Sequence, residues 1–416
     1  YNATWGDLAF TEVAFSDITT AKLTWLPADG VPTGDPDSTS PDAYRGGYEE
    51  PGDDVGRFTA LKLSAQGTPV IAYQDVTNNA VKLAMRTDNK WKTSVVTDAK
   101  EGKGIGGYTQ MVLSDSDVPT VAYMIQAVPK GMGTIVSQLV VATAKSATPS
   151  GPADWDKKIV DEVQVPCGGQ CAMGEACVYV DPMKKDKYAT VCKPVVTTCA
   201  PTCKSGTACV AAKCVDALGM PPAGEPEGTG LYARLVKNGA NTQVVFHTKQ
   251  TGALKVASSP DWKVQVVDGG DGKVVAGKYI GAAAAADGSL GVSYGDGTGR
   301  LLYRTVKGTM LGAVEVVDDG MRTVKMVAET HTVGAGVQLV FDAGKPVVVY
   351  QDQTSGSLET ARKDAMWTKK TLSAPTGMNS RGYYPQLVSD GSKWLALDVV
   401  YDRQAPALTT LSASPL

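Results

Sequence analysis

The residues best suited to ligand chemistry recur at one position of a repeat. They are Arg57-Phe58, Tyr108, Leu231-Tyr232, Lys278-Tyr279, and Arg381 with Tyr383-Tyr384. Each aromatic follows closely on a glycine: Gly56, Gly106, Gly230, Gly277 or Gly382. Aromatic faces stack on sugar rings, and interspersed cations attract anionic groups. The candidate ligand site is therefore Arg57, Phe58, Tyr108, Tyr232, Lys278, Tyr279, Arg381 and Tyr384, at the mouth of a central channel. The competing reading is packing, because an aromatic repeated at equivalent places also fills the joins between repeats. The glycine before it marks a positive φ or a close approach of backbone.

A second constellation is the cysteines. All eight lie between Cys167 and Cys214. Cys167, Cys171, Cys177 and Cys192 are echoed by Cys199, Cys203, Cys209 and Cys214, so the segment is a duplication with spacing C-x3-C-x5-C and a late fourth cysteine. The stretch holds no His and no CxxC pair, which favours disulfides in an oxidising compartment over zinc. Two bridges per module are expected. Four cysteines allow three pairings, and spacing does not choose among them.

Other chemistry is thinly supported. Asp268-Gly-Gly-Asp271, and Asp35-Pro-Asp37 with Asp42, could gather oxygens around Ca²⁺, although neither is an EF-hand loop. No other cofactor is implied. His247 and His331 are the only histidines, which excludes a His-rich metal site. No Gly-x-Ser-x-Gly elbow is present. Gly102–Gly107 is Gly-rich but precedes a strand, which argues against a phosphate loop. Tyr73-Gln-Asp75-Val-Thr77 and Tyr350-Gln-Asp352-Gln-Thr354 sit at turns, where Asp and Thr bond the turn backbone. No catalytic residue is assigned.

The elements that carry these residues repeat with a period of about 45 residues. Gly56–Val96 contains three apolar or alternating segments divided by polar turns, then a short segment after Trp91. Further versions begin at Gly106, Gly230, Gly277, Gly334 and Gly382. Trp91, Trp155, Trp262 and Trp367 mark outer strands as packing residues. Trp5–Val13 reads as another such last strand, and the sixth repeat ends without one. Joining the two would close a ring and remove exposed edges. Phe15–Asp54 reads as a long loop with a hairpin near Ala21–Leu26. A net charge of -3 indicates no nucleic-acid partner. No apolar run is long enough for a membrane helix.

The pattern Gly-x-Tyr/Phe, Asp/Gly-x-Pro-x-Val-x-Tyr-x-Asp, Leu-Lys-x-Ala and a late Trp resembles the tandem repeats of secreted bacterial β-propellers, loosely sialidase-like or WD40-like. The sialidase Asp-box is absent. The cysteine segment resembles small modules of myxobacterial and animal extracellular proteins. The resemblance implies an all-β, six-bladed β-propeller rather than a seven-bladed one. Its expected organisation is residues 1–166 (N-terminal closing strand, loop 15–54, first two blades), a disulfide-rich insertion over 167–215, and four blades over 216–416. Large departures from the repeat fall in loops of one face, which is therefore the expected binding face. The expected protein is secreted or at the cell surface, associated with the outer membrane, with its signal sequence removed. Its expected role is non-catalytic binding of an extracellular or outer-membrane protein, as an adhesion or scaffold component. A carbohydrate-binding lectin and a polysaccharide-acting hydrolase or lyase are the alternatives.

Overall fold

Short runs rich in Val, Ala and Tyr, cut by Gly and Asp turns, favour strands over helices. In the computed structural model no α-helix forms among the described residues, and each helical element is a single 3-10 turn. The structure describes residues 1–37, 45–130, 135–169, 171, 173–179, 190–196, 199–204, 207–218, 226–270, 274–324, 326–402 and 410–416.

The six repeats form six antiparallel sheets, the blades of a propeller. Blade 1 comprises Val55–Leu63, Pro69–Asp75, Ala80–Thr87 and Lys90–Thr97. Blade 2 comprises Lys103–Leu113, Pro119–Pro129, Ile135–Ala144 and Trp155–Gln164. Blade 3 runs from Thr229 to Asp268, blade 4 from Ala276 to Asp318 and blade 5 from Val333 to Ser373. Among the described residues blade 6 has three strands, Asn379–Ser389, Trp394–Asp402 and Thr410–Pro415. From blade 1 through to blade 6, each first strand touches the first strand of the next blade, and these strands form the inner wall.

The core lies between blades rather than within one. Val70 and Ala72 pack toward blade 2 with Ile105, Met111 and Tyr123. Ile71 and Tyr73, on the other face of the same strand, pack with Leu8 and Ala28. Alternate residues of a strand face opposite ways, so a strand with neighbours on both sides reads as a continuous apolar run. The Asp88-Asn89 turn joining blade 1's outer strands has φ of 50° and 60°, as a tight hairpin requires.

The N-terminal segment departs from expectation. Leu8–Phe10 pairs with Leu26–Asp29, and among the described residues no pairing joins it to blade 6. It is a third strand, not a fourth. Val55 N donates to Gly6 O at 2.8 Å, as Ala276 N does to Gly252 O and Arg381 N to Gly356 O. Gly6-Asp-Leu8 thus matches Gly252-Ala-Leu254 and Gly356-Ser-Leu358 at the start of third strands. Leu26–Asp29 is the matching fourth strand, so it divides the loop expected over 15–54. In blade 6 the third-strand place beside Trp394–Asp402 is filled by Thr410–Pro415 instead. Leu61 and Leu63 on blade 1's inner strand are 50% and 61% exposed, because among the described residues the N-terminal hairpin brings no inner strands to cover them.

The four disulfides pair first with third and second with fourth cysteine in each module: Cys167–Cys177, Cys171–Cys192, Cys199–Cys209 and Cys203–Cys214. Each module is built on a hairpin that sets its third and fourth cysteines opposite each other, Cys177 against Cys192 and Cys209 against Cys214. The hairpins join through Val178 and Ala217.

Candidate functional site: an aromatic row on the inner strands

Each inner strand carries extra residues relative to its partner. In blade 1, Val55 faces Asp75, Arg57 faces Gln74 and Ala60 faces Ala72. Two bulges therefore fall within six residues, one at Gly56 and one at Phe58. Blades 2 to 5 repeat the same offsets. The bulges place the aromatics in left-handed backbone: Phe58 at φ 49°, Tyr108 at 53°, Tyr232 at 53°, Tyr279 at 51° and Tyr384 at 49°. For a residue with a Cβ that conformation costs about 1–2 kcal/mol. Such strain persists where the surroundings enforce it, and it concentrates at functional sites.

The rings of four successive blades then meet. Phe58 lies 5.1 Å from Tyr108, Tyr108 5.2 Å from Tyr232, and Tyr232 5.1 Å from Tyr279. Each pair is tilted, so the row presents ring faces and edges together. The rings serve both roles weighed from sequence. Tyr108, Tyr232 and Tyr279 pack against the cores between blades yet remain partly exposed, and Phe58 is 45% exposed. Blade 5 interrupts the row with Gly336, where an added Cβ would stand 2.7 Å from Pro385 Cδ. Tyr384 beyond it is 80% exposed and stands apart.

The expected cations separate. Arg57 donates to Asp54 at 2.8 Å and lies over the Tyr1 ring at 5.3 Å. Arg381 is mostly buried, donating to Asp398 at 3.0 Å and to the hydroxyls of Ser373 and Ser412, which ties blade 6 to blade 5. Lys278 stands beside Tyr279 on blade 4's inner strand and is partly exposed.

Two polar systems were not legible from spacing. The first is a latch between blades, from a second-strand Tyr to the Asp ending the preceding fourth strand. Tyr73 donates to Asp29 at 2.6 Å, Tyr350 to Asp318 at 2.7 Å, and Tyr294 to Asp268. Burial first, and then the neighbouring carboxylate, push all three phenols above their usual range. The repeated Tyr was visible in sequence, but its partner comes from another repeat. The second system surrounds a hairpin inserted between blades 4 and 5, Met321–Val324 and Val327–Thr330. Asp318 accepts from Arg322 at 2.9 and 2.7 Å, from Lys369 at 2.9 Å and from Gly320 N at 3.0 Å. Burial opposes its ionisation, but these donors hold it well below the usual carboxylate range. His331 Nδ1 lies 2.6 Å from Asp352. These carboxylates are committed to donors, so the cluster anchors the hairpin rather than offering a free acid and base.

The turn role expected of Asp and Thr is seen directly. Asp75 accepts from Asn78 N at 2.8 Å, Asp352 from Thr354 N at 3.0 Å, and Thr77 from Asp54 N at 2.8 Å. Of the residues considered for Ca²⁺, Asp268 accepts from Gly269 N and Tyr294, and Asp37 accepts from Glu49 N at 2.9 Å. Asp42 and Asp271 lie outside the described residues.

No family model matches this chain, and no curated protein matches it. Among solved structures it is similar to the GH93 α-L-arabinofuranosidase of Fusarium graminearum in complex with arabinobiose. Identity there is 14% over 86% of this chain and 92% of that one, with a TM-score of 0.45. It is similar to polysaccharide lyase Uly1 at 8% identity over 86% and 77%, with a TM-score of 0.45. It is similar to the fucose-specific lectin from Aleuria aurantia at 12% identity over 87% and 95%, with a TM-score of 0.36. Likenesses this remote carry no site residue over to this chain.

Proposed function

We propose that this protein is a non-catalytic binding protein that takes a saccharide on the aromatic row at its channel mouth. One observation carries this reading: four rings from four successive blades in mutual contact, each held in costly left-handed backbone. Strained backbone of this kind concentrates at functional sites. Stacking of sugar faces on such rings supplies affinity without a deep pocket. No helix among the described residues is long and apolar enough to cross a membrane. Four disulfides suit an oxidising compartment, so we place the protein outside the cytoplasm, secreted or at the cell surface.

The test is a glycan array with wild-type protein, Tyr232→Ala and Tyr279→Ala. Binding that both substitutions weaken supports the reading, and binding indifferent to both overturns it. The scaffold reading keeps one specific observation of its own. The inserted hairpin projects apolar side chains, with Met326 96% and Val327 59% exposed. A protein that binds no glycan but loses a protein partner on Met326→Asp would favour that reading.

A further inference from the structure

We propose that the N-terminal hairpin holds a second saccharide site, a pocket that takes one neutral sugar residue through two adjacent hydroxyls. The inference goes beyond the reading above. The pocket shares no residue with the aromatic row and stands whether or not the row binds.

Leu8–Phe10 and Leu26–Asp29 stop pairing at Phe10 and Leu26. Continued in the same register, Thr11 would meet Trp25 and Val13 would meet Leu23. They do not pair. Among the described residues, Thr11–Val13 and Lys22–Trp25 make no backbone hydrogen bond to each other or to any other segment. A compact turn joins the two arms instead: Asp17 N donates to Ala14 O at 3.0 Å, and Ala21 N to Asp17 O at 2.8 Å. Between the arms lies a cavity of about 320 Å³. That volume is at the lower end of those that hold small ligands. Strand pairing closes one end and the turn closes the other, so the cavity suits a compact ring rather than a chain passing through.

Its lining is sorted by the alternation of an extended chain. Val13 and Leu23 are half-buried and, with Phe10 and Leu26, supply apolar surface. Glu12, Lys22 and Thr24 are exposed at the rim. The rim therefore offers charged groups, a hydroxyl and the peptide groups that the parted arms leave unbonded. A sugar ring has the matching layout. Its C–H faces suit the apolar lining, and each hydroxyl on its edge both donates and accepts.

Glu12 and Arg86 set the orientation. Arg86, from the third strand of blade 1, lies over the Phe10 ring at 5.6 Å and donates to Glu12 at 3.1 Å. Phe10 is itself set edge-on against Trp91, with ring centroids 5.1 Å apart. All three of Phe10, Glu12 and Arg86 line the cavity. A paired guanidinium and carboxylate present donors and acceptors side by side with no net charge. Two adjacent hydroxyls of a neutral sugar match both.

The experiment titrates methyl glycosides of glucose, galactose, mannose, fucose, arabinose and N-acetylglucosamine into wild type, Glu12→Gln, Arg86→Gln and Tyr232→Ala. Amide hydrogen exchange over residues 11–13 and 22–25 is followed beside calorimetry. These amides should exchange freely in the unliganded protein, since no backbone bond protects them. At least one glycoside is expected to slow them, with affinity about tenfold weaker in Glu12→Gln. Glu12 is exposed, so this variant stays informative even where Arg86→Gln fails to fold. Amides already protected without ligand, no glycoside bound, or equal affinity in wild type and Glu12→Gln each overturn the pocket. Acetate slowing these amides where no glycoside does overturns the sugar assignment. Glycoside binding lost in Tyr232→Ala, with the hairpin amides unaffected, overturns this site and leaves the aromatic row standing. Hairpin protection combined with glycan binding indifferent to Tyr232→Ala and Tyr279→Ala supports this site and overturns the row.

Discussion

The phenol of Tyr350 on blade 5 donates to the carboxylate of Asp318 at the end of blade 4, at 2.7 Å, with both side chains fully buried. The same bond joins Tyr294 to Asp268 and Tyr73 to Asp29, so the ring is held by polar latches as well as apolar joins. Blade 3 carries Phe246 at this place and packs it as hydrocarbon. Tyr350→Phe is therefore expected to keep the fold and lose about 1–3 kcal/mol, since a buried carboxylate loses one of its donors. Urea unfolding measures the loss.

Asp318 also sets an acid limit. Its folded pKa is depressed, so its contribution is fully present above its unfolded value of about 3.9 and is lost as pH falls toward the folded one. Asp318→Asn is expected to lower stability at neutral pH by about 3–5 kcal/mol, because Arg322 and Lys369 lose a buried partner. The variant should also show a shallower fall in stability between about pH 4 and pH 2 than wild type. Unfolding curves across that window decide it. An equal fall in both proteins would show that Asp318 does not govern the acid limb.

Assignment of the N-terminus as a third strand makes two leucines diverge. Leu8 is 1% exposed against blade 1, while Leu411 on the last strand of blade 6 is 51% exposed. Leu8→Ala is expected to cost about 2–5 kcal/mol. Leu411→Ala should fall within about 0.5 kcal/mol of wild type. Equal effects in denaturant titration would contradict the placement.

The strained aromatics allow a test of their backbone. At Tyr279, with φ of 51°, alanine keeps the left-handed cost and loses the ring, whereas glycine relieves the cost. Tyr279→Gly should be more stable than Tyr279→Ala by about 1 kcal/mol, the reverse of the usual order in strands. Melting temperatures of the two variants check this.

The cysteine modules predict their own peptide map. Proteolysis without reduction should release Cys167 linked to Cys177 and Cys203 linked to Cys214, with no Cys177–Cys192 link. Mass spectrometry of those fragments would refute the pairing if neighbouring hairpin cysteines were joined.

The sequence by itself determined the six repeats, the all-β class, the disulfide-rich insertion and the glycine-aromatic position on each inner strand. These depend on local pattern: strand periodicity, turn residues and cysteine spacing act over a few residues. The tertiary structure decided what depends on partners distant in the chain. Trp5 and Phe10 resemble a fourth strand in composition, but Gly6 O accepting from Val55 N makes Leu8–Phe10 a third. Arg57 and Arg381 look like ligand cations until Asp54 and Asp398 are seen beside them. Pairing, charge compensation and exposure arise only when separate repeats meet, and one repeat's sequence does not contain its neighbour.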